Sequence, residues 1–507
     1  MYKILKATKD TYVTDKIINN DFRATDANVG QAGTLDLFKL YNESTLTGTD
    51  KPSELTRILI KFDLDPLRDL TGSVLDLGDS SFKCTLKMTD VYGGQTTPSN
   101  FKVILFPLSQ SFDEGTGLDV VSFEDLDACN MITASYSGDT AVAWFASGAN
   151  QLGHLGQNDI DIIASGNLDD GEGLQNIFKT QLFESGEGDL SIDVTTIVSA
   201  TIVGKLPDHG FRLSYSGTHE TNDRTLFVKR FASRHSSNTR IRPRIVVQYD
   251  DSVQDDHENF YFDMSGSLFL NNYDNRGKPA NLLSGAYGAE VKGNNAVILK
   301  LTSGSYTTSI TGSQHKIGST FITGVYSATF ALSSWASTAI RREVLQSNSA
   351  TFNLFWESSD YTMGYHTGSL VIKQTDRTSF NNVPKILNVS VTNMKMSYQK
   401  SEKVRFRIYV ADAAPTIKAV KLPRERPSLI FREMFYRVKD ANTDDVVIPF
   451  DTTKMSTRLS TDALGMYFDL YMDSLDLGRV HSFDFLIKDQ GSDLTFLDVG
   501  AKFRVDP

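Results

Sequence analysis

Along this chain apolar and polar residues alternate in short runs. Phe82-Lys83-Cys84-Thr85-Leu86-Lys87-Met88 puts an apolar side chain at every second position, the period of a strand with one buried face. Ile58–Leu64, Phe101–Phe106, Gly210–Tyr215 and Ile245–Tyr249 follow the same rule. Clusters of Gly, Asn, Asp, Ser and Thr between them supply turns. Helical spacing is scarce. One short helix is expected near Ser191–Ile202, capped by Asp193 or Thr195. No fixed-period repeat marks a solenoid.

The polar, acidic run Tyr249–Glu258 reads as a solvated linker, assigned to residues 251–258. Residues 259–384 form a β-rich middle domain with strands expected at Phe260–Phe262, Ala296–Leu301, Tyr326–Leu332 and Thr351–Trp356. Residues 385–507 carry Ile386–Val391, Lys403–Val410, Glu433–Val438, Tyr467–Tyr471 and Ser482–Ile487, a series that suits an immunoglobulin-like β-sandwich. Leu422–Pro427 is a basic, proline-bounded loop within it. The expected class is all-β, as tandem β-sandwich domains, the first spanning residues 1–250. Length agrees: one core stops growing at about 250–300 residues, so a chain of 507 residues implies roughly two to four domains.

Composition narrows the function classes. Apolar residues make up 40 % of the chain, enough for packed cores and wrong for a disordered polymer. The net charge of −11 argues against a general nucleic-acid binder, which needs a basic face for phosphates. The densest basic stretch, Arg224, Lys229, Arg230, Arg234, Arg240, Arg242 and Arg244, reads as charged outer faces of strands, with an anionic partner as the alternative. The N-terminal sequence shows no basic region followed by an apolar one, so no secretory signal is expected. No run is apolar for long enough to suggest a membrane helix. Cys84 and Cys129 are too few for a disulfide framework and are expected as buried free thiols.

Candidate chemistry is thin. The eight histidines, His154, His209, His219, His235, His257, His315, His366 and His481, never pair at zinc-ligand spacing. No Gly-x-Ser-x-Gly elbow, P-loop or dinucleotide fingerprint occurs. Asp113-Glu114 is too close in sequence to be a glycosidase couple, because neighbours on a strand face opposite ways. Its expected role is a turn in which Glu114 accepts backbone N–H groups. Asn167–Glu172 has the composition of a calcium loop but lacks a Glu at the twelfth position, where Phe178 stands. An exposed acidic loop is expected there, with a calcium site as the alternative. Trp144, Trp335 and Trp356 are expected in cores, with sugar stacking as the alternative. No catalytic or cofactor-binding residue emerges, no cofactor is expected, and metal binding stays open.

A series of short motifs in the first half resembles the DNRLRE-type β-sandwich, a carbohydrate-binding-module-like domain. Lys9-Asp10-Thr11-Tyr12-Val13 is similar to its opening strand, and Asn28-Val29-Gly30 followed by Thr34–Leu37 to its Asn-x-Gly turn and next strand. Arg57–Leu64 resembles its arginine, apolar run and Lys-Phe-Asp. Ser111–Gly117 stands where the family has Trp-x-Glu-Gly, with Phe112 in place of the Trp. Ile192–Thr195, Gly210–Leu213, Phe231–Arg234 and Arg242–Tyr249 resemble the later elements, although His235 follows Ser-Arg where Glu is usual. The stretch Asn130–Gly188 is longer than the family's connection. The resemblance covers residues 1–250 and implies a jelly-roll sandwich there, followed by two smaller Ig-like or sandwich domains.

The whole arrangement is similar to virion structural proteins of tailed bacteriophages. That similarity implies a non-enzymatic protein of the neck, tail or capsid surface, located in the virion. The partners expected are other virion proteins and copies of itself, with a surface glycan as a further one and neither nucleic acid nor membrane. The alternative is a glycan-binding adhesin or receptor-binding protein.

Overall fold

The alternating segments form strands because each buries one row of side chains and leaves the other to water. A computed structural model of the chain describes residues 1–18, 22–41, 53–91, 100–118, 127–168, 173–221, 226–285, 288–375, 386–413, 428–489 and 491–507. It is all-β, with helices short and few among the described residues. Leu422–Pro427, Arg224 and the centre of the acidic stretch, Asp169–Glu172, lie outside the described residues. The chain divides into two compact units. The N-terminal unit comprises Lys3–Asp69 and Lys83–Val247, and the C-terminal unit Met1–Tyr2, Leu70–Phe82 and Gln248–Pro507.

The main sheet of the N-terminal unit runs in the order Lys179–Phe183, Phe101–Pro107, Phe211–Tyr215, Ser53–Phe62, Tyr2–Thr14, Arg244–Gln248, Lys83–Met88, Leu190–Asp193. Thr34–Tyr41 branches from it, pairing with both Ser53–Phe62 and Leu226–Ala232. The alternation seen in sequence is literal: Cys84, Leu86 and Met88 are buried, and the residues between them are half-buried. Phe211–Tyr215 is buried on both faces, so its polar residues need partners inside the unit. The expected helix begins later than its sequence suggests, at Thr195, and ends at Ile202. Ser191–Asp193 belongs instead to a strand paired with Lys83–Met88. Asp193 Oδ1 accepts from Thr195 N at 3.0 Å and from its hydroxyl at 2.6 Å. It therefore braces the helix entry from one residue outside the cap, Val194.

In the C-terminal unit a six-stranded antiparallel sheet runs Ser265–Asn271, Thr320–Ala331, Tyr306–Ile317, Val297–Ser303, Ser349–Ser358, Gly364–Lys373. Phe260–Phe262 is not a strand, yet both phenylalanines are buried in its core. A helix absent from the sequence expectation, Thr338–Ser347, packs Ile340 and Val344 into the same core. Residues 387–506 form an Ig-like sandwich of a four-stranded and a six-stranded sheet. Phe406, Phe468 and Phe483 fill it, with ring centroids 4.9–5.3 Å apart.

The acidic run 249–258 is no solvated linker. Asp255 and Asp256 are buried, because each carboxylate finds donors. Asp255 accepts from His257 N at 2.9 Å, and Asp256 from Ser267 N at 2.9 Å and Arg432 Nη2 at 2.7 Å. Leu70–Phe82 is bound into this unit likewise. Asp76 Oδ2 accepts from Ser319 N at 2.6 Å, Ser73 O from Thr323 N at 3.2 Å, and Ser81 Oγ from Asp250 N at 2.9 Å.

Candidate functional site

Four of the motif segments meet in the N-terminal unit, around Asn28. Its side-chain amide donates to Glu114 O and Cys129 O, each at 2.9 Å. Its Oδ1 accepts from Gly30 N at 3.2 Å and Gly117 N at 2.9 Å. The Asn-x-Gly turn is thereby locked onto the Glu-Gly-Thr-Gly turn. Space demands the glycines: a Cβ on Gly30 would lie 1.9 Å from Glu114 O, and one on Gly117 2.0 Å from Asn28 O.

The locked turn aims Glu114 at the strand Tyr2–Thr14 and at the residues after Leu226–Ala232. Glu114 Oε1 accepts from Asp10 N at 2.9 Å. Arg234 adds two bonds, Nε to Oε1 at 2.5 Å and Nη2 to Oε2 at 2.6 Å, the fork geometry of a strong guanidinium–carboxylate pair. Arg234 N also donates to Asp10 Oδ2 at 2.6 Å. Asp10 is buried, and among the described residues its Oδ1 has no hydrogen-bond partner. Burial pushes its carboxyl up to about 7, against the pull of the Arg234 N–H, with Glu114's charge adding to the rise.

Asp10, Glu114 and His235 each place one potential ligand atom within 4.8 Å of the others. The donor types suit a divalent ion. Arg234, however, already holds both Glu114 oxygens, and a second cation on that carboxylate would meet its charge. The arrangement works as an ion-pair joint between three distant segments. Asp113 and Glu114 do face apart, though for a different reason than strand alternation: residues 111–115 are irregular. Asp113 turns to Tyr136 N at 2.9 Å and lies 3.7 Å from Lys9 Nζ. Phe112, in the family's Trp position, is buried beside Val13, Leu59 and Trp144.

A second joint explains the motif arginine of the strand Ser53–Phe62. Arg57 Nη1 donates to Ser147 O and Gly148 O, each at 3.1 Å, and Nε to Glu220 at 2.7 Å. Arg212, fully buried, reaches Asn150 at 3.1 Å and the same Glu220 at 3.4 Å. Burial and Arg57's charge bring its guanidinium down to about 9. Asp161 accepts from Phe145 N, Ala146 N, Gln151 N and Gln110 Nε2 at 2.8–2.9 Å. The long stretch after Asn130 is thus pinned to the sheet by buried charge. Sequence reasoning missed this joint; nothing in the spacing links Arg57 to Glu220.

Several of the described residues of the basic stretch find partners within the fold. Lys229 holds Asp90 at 2.6 Å, Arg230 holds Asp36 through two bonds of 2.8 Å, and Arg242 donates to Ser236 O. Both cysteines are free and buried. Trp144 and Trp356 lie in cores, at 5 % and 2 % exposure, but Trp335 stands out at 69 %. Among the described residues no helix is long and apolar enough to cross a membrane.

No family model matches the chain, and no curated protein matches its sequence. Solved structures give distant similarities. A titin fragment, Titin-A168169, is 7 % identical over 50 % of this chain and 93 % of its own, with a TM-score of 0.14. A protein of Corynebacterium diphtheriae described as membrane anchored is 8 % identical over 100 % and 97 %, with a TM-score of 0.14. A Ca2+-stabilised, ice-binding adhesin of an Antarctic bacterium is 10 % identical over 99 % and 100 %, with a TM-score of 0.13. Scores this low carry no argument about fold or function.

Proposed function

We propose that the chain is a non-enzymatic structural protein of a tailed bacteriophage virion, its N-terminal unit a sandwich of the DNRLRE type. The observation that carries the non-enzymatic part is the Glu114 joint. Both carboxylate oxygens are bonded by Arg234, so the motif residues hold segments together and leave no free acid–base couple there. The virion part rests on the motif resemblance over residues 1–250 and on the tandem all-β architecture. Rigid sandwiches give reach and docking surfaces without chemistry. Strand Gly364–Lys373, the last of its sheet, turns most of its side chains to water; such an edge can add a strand from a neighbouring subunit.

Mass spectrometry and a cryo-EM map of purified particles test the reading. The expected result is the chain in multiple copies at fixed positions, its strands abutting other subunits. Absence from particles made in cells that express the chain would overturn it.

A further inference from the structure

Trp335 is set in a rigid frame, unlike an incidental surface aromatic. Its N–H donates to Ser333 Oγ at 3.2 Å, and the next N–H, of Ala336, to Ser333 O at 3.0 Å. Ser334, buried between, donates from N and Oγ to Asp263 at 3.2 and 2.8 Å. Ser337 then caps the helix Thr338–Ser347 by accepting from Ile340 N at 3.1 Å. The turn thus fixes the indole at the start of a helix whose inner face, Ile340 and Val344, is locked in the core. The outer face carries Thr338, Arg341, Arg342, Leu345 and Gln346, three or four positions apart around the helix.

These residues and Trp335 line an open groove of 490 Å³. Arg341 stacks its guanidinium 3.6 Å from the indole centroid, an orientation that fixes both groups. Arg57, Arg230, Arg234, Arg405 and Arg437 each hold a carboxylate. Among the described residues Arg341 and Arg342 hold none, and the one acid on their helix, Glu343, turns back to Thr351 N at 3.3 Å. The groove is a local cationic site on a chain of net charge −11.

We infer that the Trp335 groove binds an acidic saccharide. Arg341 covers one face of the indole; the other, on a side chain 69 % exposed, is left for the flat C–H face of a pyranose ring, and a sugar carboxylate is the planar anion that a guanidinium matches. Thr338 and Gln346 remain for hydroxyl groups. The groove sets an apolar wall that includes Trp335 and Leu345 beside two guanidinium groups, the combination that a sugar ring bearing a carboxylate calls for. The inference stands apart from the virion reading, since either can fail alone.

Quenching of tryptophan emission by acrylamide reads this site directly, because the other two tryptophans are buried. A short galacturonate oligomer is expected to shield the accessible tryptophan, and a neutral galactose oligomer to do so less well. By titration calorimetry Trp335→Ala should lower affinity for the galacturonate oligomer about tenfold or more, and Trp335→Phe only about threefold. Arg342→Gln should cost about threefold to tenfold with the acidic oligomer and leave the neutral one unchanged. Thermal melts establish that these exposed substitutions leave the fold intact. Emission unshielded by the galacturonate oligomer overturns the inference, as does shielding by phosphatidylglycerol vesicles or poly(dT) in its place. An Arg342→Gln variant that keeps the full preference for the acidic oligomer removes the acidic class.

Discussion

Glu114 and Arg234, 120 residues apart in the chain, meet through two parallel hydrogen bonds of 2.5 and 2.6 Å. Loss of either partner leaves the other charge half-buried beside Asp10. Glu114→Gln or Arg234→Lys should lower stability by about 2 kcal/mol, read as a shift in urea midpoint. A double-mutant cycle should show the two effects to be strongly non-additive. Additive effects would mean that the pair does not act as one joint.

The pH dependence of stability should carry a signature of Asp10. Its folded-state carboxyl titrates at about 7, above an unfolded value of about 4. Between those values the folded state binds more protons than the unfolded one, so stability falls as pH rises. The contribution of Asp10 alone is flat below about 4 and above about 7. Asp10→Asn removes this fall. Relative to the parent, the variant should gain about 2–4 kcal/mol between pH 4 and pH 8. A difference that does not change with pH contradicts the assignment. Asp255 in the C-terminal unit, also raised to about 7 by burial, adds a decline of the same sign that both proteins share.

Crowding at the Asn28 hub predicts a sharp intolerance of methyl groups. Gly30→Ala and Gly117→Ala should each cost about 3 kcal/mol, since the new Cβ meets a backbone oxygen that cannot swing away. Gly204→Ala, where a Cβ meets nothing within 4 Å but φ is +80°, should cost only about 1 kcal/mol. Equal midpoints for all three would remove the steric argument.

Burial of Cys84 and Cys129 raises both thiols well above their ordinary range. A thiol reagent such as Ellman's should find none reactive in the native protein at neutral pH and both after denaturation. A thiol that titrates at the native rate of a small peptide would place one of them at the surface.

The strands were legible because water sees one face of them; Cys84, Leu86 and Met88 announce a buried row on their own. The helix Thr338–Ser347 was written more faintly. Ser337 and the pair Ile340 and Val344 mark it, but its outer face is polar apart from Ala339 and Leu345, so the buried row reduces to two apolar positions. The acidic run 249–258 misled, since charge density suggests exposure until Asp255 and Asp256 are matched with N–H donors from the strand Ser265–Asn271. The Glu114 motif was visible as a motif, and its expected bond to a backbone N–H is present at Asp10. Its ion pair was not visible, because pairing across 120 residues leaves no mark on local spacing. For the same reason nothing in the sequence separates the exposed Trp335 from the two core tryptophans.

The segment Leu70–Phe82 belongs to the C-terminal unit although the chain on both sides of it builds the other. On a ribosome it emerges early and must wait, roughly ten to fifty seconds at ordinary elongation rates, for Asp250 and Ser319 to be made. A polypeptide ended at residue 247 would hold it permanently without its partners. The two units are therefore not separable parts that could be exchanged by cutting the chain once; the shortest clean excision of the N-terminal unit needs the excursion removed and its ends, Asp69 and Lys83, rejoined.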